Sequence, residues 1–190
     1  MSTAPRDDPK DPPSKGSLQA WLRNLGVRVA TAAVGIPILL WMLYLGPTEG
    51  FALFCGAIAA LTGRELGRMT HPEDAWGRAW MVLAPAGLML TSRFAPELRE
   101  TALALLVLGG ALGTLLRPTP IDTAARRMGW AIAGPLYLGF SIALVASIHT
   151  FPRGGSWVVL TMVLAWGSDT GAFVTGRFAG RTPLYPTASP

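Results

Sequence analysis

The sequence predicts an all-α, polytopic integral membrane protein of about six transmembrane helices with both termini cytoplasmic. Three observations predict it. First, 51% of the 190 residues are hydrophobic and only 14% are charged, where a soluble domain carries about 25% charged residues; the mean hydropathy is +0.39. Second, the apolar residues gather into six runs of spanning or near-spanning length. Third, lysine and arginine concentrate on one side of those runs when each is allowed to cross once. The same composition excludes other classes. The chain is too apolar for intrinsic disorder, has no strict glycine period, and holds a single cysteine, so neither a disulfide framework nor a Cys-rich metal site can form.

Residues 1–22 are rich in Pro, Asp, Ser and Lys and read as a disordered cytoplasmic tail. No apolar core and small-residue cleavage site follow, so the tail is not a signal peptide. Residues 23–190 read as the transmembrane helical domain. Val27 to Leu45 is interrupted only by Arg28 and spans roughly 28 Å at about 1.5 Å per residue. Pro37 inside it is expected to kink the helix without ending it. After the tight connection Gly46–Gly50, a second run extends from Phe51 to Gly63 and then takes on Arg64, Glu65 and Arg68. The third, Ala79 to Ser92, is short and carries Pro85; for both, a crossing helix and a re-entrant segment remain open. Thr101 to Leu116, Met128 to Ile148 and Trp157 to about Thr175 complete the six.

Orientation follows from the basic residues. With the tail inside, Arg6, Lys10, Lys15, Arg23, Arg28, Arg64, Arg68, Arg78, Arg117, Arg126, Arg127, Arg177 and Arg181 are cytoplasmic; of the 16, only Arg93, Arg99 and Arg153 lie outside. A net charge of +5 and a pI near 10.1 do not point to nucleic acid. The arginines punctuate apolar runs instead of forming a stripe, and no nucleic-acid motif is present. Anionic headgroups of membrane lipids are the expected counterparts.

Of the 11 acidic residues, only Asp169 lies well inside a run. A carboxylate at membrane depth costs about 2.5–3.5 kcal/mol, so it calls for a partner, water or a metal. Gly167 and Gly171 bracket it and would allow a helix break and close approach of a ligand. Position alone leaves several readings open: a cap of a broken helix, a pair with an arginine of another span, a carrier's ion site, or an enzyme's metal ligand.

The surrounding residues carry more. Ser168-Asp169-Thr170-Gly171-Ala172-Phe173, then Gly176-Arg177-Phe178-Ala179-Gly180-Arg181, then Pro186-Thr187-Ala188-Ser189-Pro190 resembles the phosphatidate cytidylyltransferases (CDP-diacylglycerol synthases). Their stretch runs Asp-Thr-Gly-Ala-Tyr/Phe, Gly-Arg, Ser-Pro-Lys-Lys-Thr. Val27-Arg28-Val29-Ala30-Thr31-Ala32, Glu65 and Gly134-Pro135-Leu136-Tyr137-Leu138-Gly139 match as well, so the resemblance covers about residues 23–190.

It implies cytidylyl transfer from CTP to phosphatidate in the inner (plasma) membrane, giving CDP-diacylglycerol and pyrophosphate. Asp169 would be the catalytic carboxylate and a ligand of Mg²⁺, with a second cation possible. Ser168, Thr170, Arg177, Arg181 and Ser189 would bind substrate. The chain stops at Pro190, where the family's lysine pair is due, and the C-terminal signature with its second metal-binding aspartate does not follow. The resemblance is therefore to the N-terminal portion, expected to have little or no activity alone. Two rivals remain in other classes: a CTP-dependent lipid kinase, and a small membrane carrier using Asp169 as its ion site. No internal repeat of the kind carriers often show is evident.

Other residues have sufficient structural explanations. Glu65 and Arg68 are an i,i+3 pair. His71 and His149 fall on opposite sides and read as solvated loop or interface positions. Gly109-x-x-x-Gly113 fits close helix packing, within the chain or across a homodimer. Most tryptophans, including Trp76 and Trp80, read as interfacial anchors, and Trp166 as buried packing beside Asp169.

Overall fold

The computed structural model describes residues 15–180. Among them the order is α1 (Lys15–Tyr44), α2 (Thr48–Thr70), α3 (Ala75–Phe94), a single 3-10 turn (Pro96–Leu98), α4 (Arg99–Leu115), α5 (Ile121–His149) and α6 (Gly154–Ala179). All six expected helices form, and no strand occurs among the described residues. The described residues divide into two compact units, one ending at Trp41 and the other beginning at Met42.

In the first unit, α1 begins at Lys15, within the stretch read as tail, and continues through Pro37. Its first turns, Lys15-Gly16-Ser17-Leu18-Gln19-Ala20-Trp21-Leu22-Arg23, contain mostly good helix formers. Extending an existing helix needs no new nucleus, so the apolar segment propagates backwards into them. Residues 1–14 lie outside the described residues.

In the second unit, each of α2 to α5 buries a stripe of residues four apart. The buried positions include Phe51, Cys55, Ala59, Gly63 and Gly67 on α2; Gly77, Met81, Pro85 and Met89 on α3; Leu106, Gly110 and Thr114 on α4; and Ala131, Pro135, Gly139 and Ala143 on α5. Most are small. Lipid is as apolar as leucine, so helices in a membrane associate through close backbone packing instead of sequestering large side chains. The large residues accordingly point outward: Leu53, Leu61, Leu83, Leu105, Leu108 and Leu112 are exposed. Helix α3 is the common partner of α2, α4 and α5, and Met81, Leu88 and Met89 are its almost fully enclosed core.

Two close approaches depend on glycine. A Cβ at Gly63 would run into the Met81 carbonyl, so α2 and α3 meet backbone to backbone. On α4, Gly109 and Gly113 receive the indole rings of Trp80 and Trp76, which stack on each other at 5.5 Å and 12°. The glycine pair is thus occupied within the chain. Trp76 and Trp80 therefore pack against α4, and the Trp80 indole N–H also donates to the Ala131 carbonyl on α5 at 2.9 Å.

Helices α2 and α3 are continuous, 23 and 20 residues long, about 34 and 30 Å at 1.5 Å per residue. Both are helices throughout. Among the described residues, three helices are by length and composition long and apolar enough to cross a membrane: Pro96–Leu115, Ile121–His149 and Gly154–Phe178. Val29–Tyr44 is a shorter apolar helix. Together they make this a membrane protein.

Candidate active site

Helix α6 carries the Ser-Asp-Thr-Gly segment. It leaves α5 through a short turn in which Arg153 is left-handed (φ 59°), and its first turn is anchored by buried Gly154, Gly155 and Val158. From Val163 to Phe178 every residue is exposed. The helix runs unbroken from Gly154 to Ala179, so Gly167 and Gly171 do not break it around Asp169; neither has any neighbour near the position a Cβ would take. A helix accommodates isolated glycines at about 1 kcal/mol each, and the apolar residues on both sides sustain it. Helical spacing puts Ala165, Trp166, Ala172 and Phe173 beside Asp169. Trp166 is 59% exposed, so it is an open aromatic face and not buried packing.

Ser168, Asp169 and Thr170 are all exposed, and Arg177 with them. Arg177 lies eight residues on, about 12 Å along the axis and about 80° around it from Asp169. Among the described residues Asp169 makes no ion pair, and no group of three or more His, Cys, Asp or Glu assembles that could hold a metal. Arg181 and Ser189 lie outside the described residues. The arrangement presents one carboxylate flanked by two hydroxyl-bearing residues, with a guanidinium toward the basic end.

Glu65 and Arg68 form the expected i,i+3 pair, 3.6 Å apart and largely exposed. At the other end of the unit, His149 sets Nε2 3.0 Å from the Leu43 carbonyl and its ring 4.4 Å from that of Phe51.

A second polar assembly, not anticipated from the sequence, sits where the α2–α3 turn faces the α4–α5 loop. His71 caps α2 and is 2% exposed, a buried residue and not a solvated one. Its backbone N–H bonds the Gly67 carbonyl, Nδ1 lies 2.9 Å from the Thr70 hydroxyl, and a Cβ on Gly77 would strike its ring. Burial pushes its imidazole below the ordinary 6.5, opposed by the nearby Asp74 carboxylate. Arg78 holds the turn by donating to the His71 and Pro72 carbonyls. Across from it, Arg127 donates to the carbonyls of Arg117, Pro118 and Pro120 at 3.3, 3.1 and 3.2 Å and pairs with Asp74 at 4.0 Å. Thr70, His71, Asp74, Arg117 and Arg127 are among the residues that line an open cavity of about 590 Å³. The adjacent Arg126-Arg127 pair, nine and ten residues after Arg117, is the linear hint of it.

The chain is 31% identical over 171 residues to a protein of Pseudomonas aeruginosa named phosphatidate cytidylyltransferase, covering 86% of this chain and 61% of that one. It is 29% identical over 175 residues to proteins of the same name from Brucella suis and Brucella melitensis, covering 89% of this chain and 60% of each. It thus spans about three fifths of the length of these relatives. No solved structure gives a significant match. Residues 26–190 match the profile of the Cytidylyltransferase family, and across that stretch, which includes the whole of α6, the chain belongs to that family.

Proposed function

We propose that this protein takes part in phospholipid biosynthesis in the cell's inner membrane, transferring the cytidylyl group of CTP to phosphatidate. The observation that carries the reading is the family match over residues 26–190, with the Ser168–Phe173 segment displayed on an accessible helix. The relatives' name supplies the acceptor. The arginine-rich ends of α2, α4 and α6 face the cytoplasm, where CTP arrives from water and the lipid phosphate from the headgroup layer.

A phosphate oxygen of phosphatidate attacks the α-phosphorus of CTP. A new P–O bond forms, the bond between the α-phosphorus and its bridging oxygen breaks, and pyrophosphate leaves with the electron pair. The acceptor is already anionic, so no strong base is needed; positioning and charge neutralisation supply the rate. Asp169 fits one share of a magnesium site, since this ion uses one or two carboxylates, substrate phosphates and retained waters. When bound, magnesium neutralises the phosphates as charge builds on the leaving group. Ser168 and Thr170 orient the substrate by hydrogen bonding, and Arg177, with Arg181 beyond it, holds phosphate oxygens at the basic end. Ser189 belongs to the nucleotide-binding stretch.

The test is formation of CDP-diacylglycerol from labelled CTP and phosphatidate by the complete gene product in detergent micelles. Asp169→Asn is expected to lower kcat at least about 100-fold, the scale of removing one preorganised electrostatic group. A phosphorylated lipid with release of CDP would identify a CTP-dependent lipid kinase instead. Flux into proteoliposomes without any CTP requirement would identify a carrier.

A further inference from the structure

Two of the arginines around the cavity at the basic end are not consumed by the fold. Arg127 is a strut: its side chain is 11% exposed, its NH groups bind three loop carbonyls, and Asp74 balances its charge. Its Nε remains buried without a partner. Arg117 and Arg126 are different. Both are exposed and line the cavity, and neither pairs with a carboxylate among the described residues. The Arg117 guanidinium lies over the Trp76 ring at 5.2 Å, and that stacking fixes its plane while leaving its N–H edge available.

The N-terminus of α5 opens into the same space through Pro120 and Thr123. Pro120 is its N-cap and makes no side-chain capping bond, and Asp122 in the first turn offsets part of the positive end. Two unpaired guanidiniums and a helix N-terminus converge on one cavity. Asp74 is engaged with Arg127, so Glu73 on the lining and Asp122 in the first turn of α5 are the carboxylates that oppose them. The volume is within the range of small-molecule sites. Leu116 on the lining is 78% exposed, and Ile121, next in sequence to the lining residue Pro120, is 77% exposed, an apolar flank beside the cationic one.

We propose that this cavity is a phosphate-binding site whose occupant is the phosphate of a phospholipid, held by Arg117, Arg126 and the α5 N-terminus with its glycerol and acyl region against Leu116 and Ile121. The site is built from α2 to α5 and owes nothing to the assignment made for α6. A soluble phosphate would use the same donors without the apolar rim, and the test separates the two sources.

The purified protein is treated with phenylglyoxal, which modifies accessible guanidiniums, in the presence of phosphatidylglycerol, diacylglycerol or inorganic phosphate. Modification is read at each arginine by peptide mass spectrometry. Phosphatidylglycerol slows reaction at Arg117 and Arg126 but not at Arg64, and diacylglycerol, which lacks the phosphate, slows neither. Native mass spectrometry of the Arg117→Gln/Arg126→Gln variant shows at least about tenfold less retained phosphatidylglycerol than wild type, as expected for losing two charge-assisted contacts. Arg64→Gln retains it. Protection by inorganic phosphate equal to that by the lipid shows a phosphate site fed from solution and overturns the lipid assignment. Absence of protection by both overturns the site itself, and because that arm uses the unmutated protein, misfolding of a variant cannot account for it.

Discussion

His71 closes α2 with its ring enclosed between Thr70 and Gly77 and only 2% of the residue exposed. Burial keeps this ring neutral in the folded protein at pH values where an unfolded chain would protonate it. Above the ordinary value of 6.5 both states are neutral and His71 adds no pH dependence. Below it the unfolded state binds the proton first, so folded stability declines as pH falls toward the lowered folded value. Thermal unfolding in detergent is expected to shift downward between pH 7.5 and 5.5, and His71→Gln to flatten that slope whatever its effect at pH 7.5. An unchanged slope would show that the imidazole is solvated. The sequence placed a histidine at the end of a run followed by Pro72, which reads as an exposed turn. Its burial depends on Gly77, six residues later, having no side chain.

Helix faces carry the next level of organisation. The four-residue stripes on α2 to α5 are visible in the sequence as recurrent small residues, but each helix also bears large apolar residues on its other faces. Hydropathy therefore does not distinguish the side facing lipid from the side facing protein. The Gly109–Gly113 pair illustrates the ambiguity, since it suits a neighbouring helix, a second copy or, as found, two indole rings. Gly113→Val puts a branched side chain into the Trp76 ring and is expected to cost about 1–3 kcal/mol, the range for overpacking. Leu112→Val, at an adjacent position 54% exposed, is expected to stay within about 0.5 kcal/mol. Equal unfolding temperatures for the two variants in detergent would contradict the packing described.

For the whole molecule, the bias of arginines sets one end of the helices against the other. Arg126 and Arg127 begin α5, and Arg153 lies beyond its far end. Cys55 is the sole cysteine of the sequence and is 3% exposed, which provides a quiet background for labelling. A membrane-impermeant maleimide applied to intact cells is expected to label Arg153→Cys and to leave Arg126→Cys untouched until the membrane is opened. The reverse pattern would invert the orientation and remove the cytoplasmic route for CTP.

The sequence by itself determined the membrane class, the number and order of the six helices and, through the Ser168–Phe173 segment, the family. These are local quantities: runs of hydropathy, helix propensity and a short contiguous motif survive reading one stretch at a time. Three things awaited the tertiary structure. Asp169 lies on an unbroken, exposed helix, because the flanking apolar residues maintain α6 through both glycines. The tryptophans fill a glycine groove on another helix, a match that exists only when α3 and α4 pack. The arginine-lined cavity joins residues near 71–74 to residues near 116–127, and only the long-range packing of α2 and α3 against α4 and α5 brings those segments to one place.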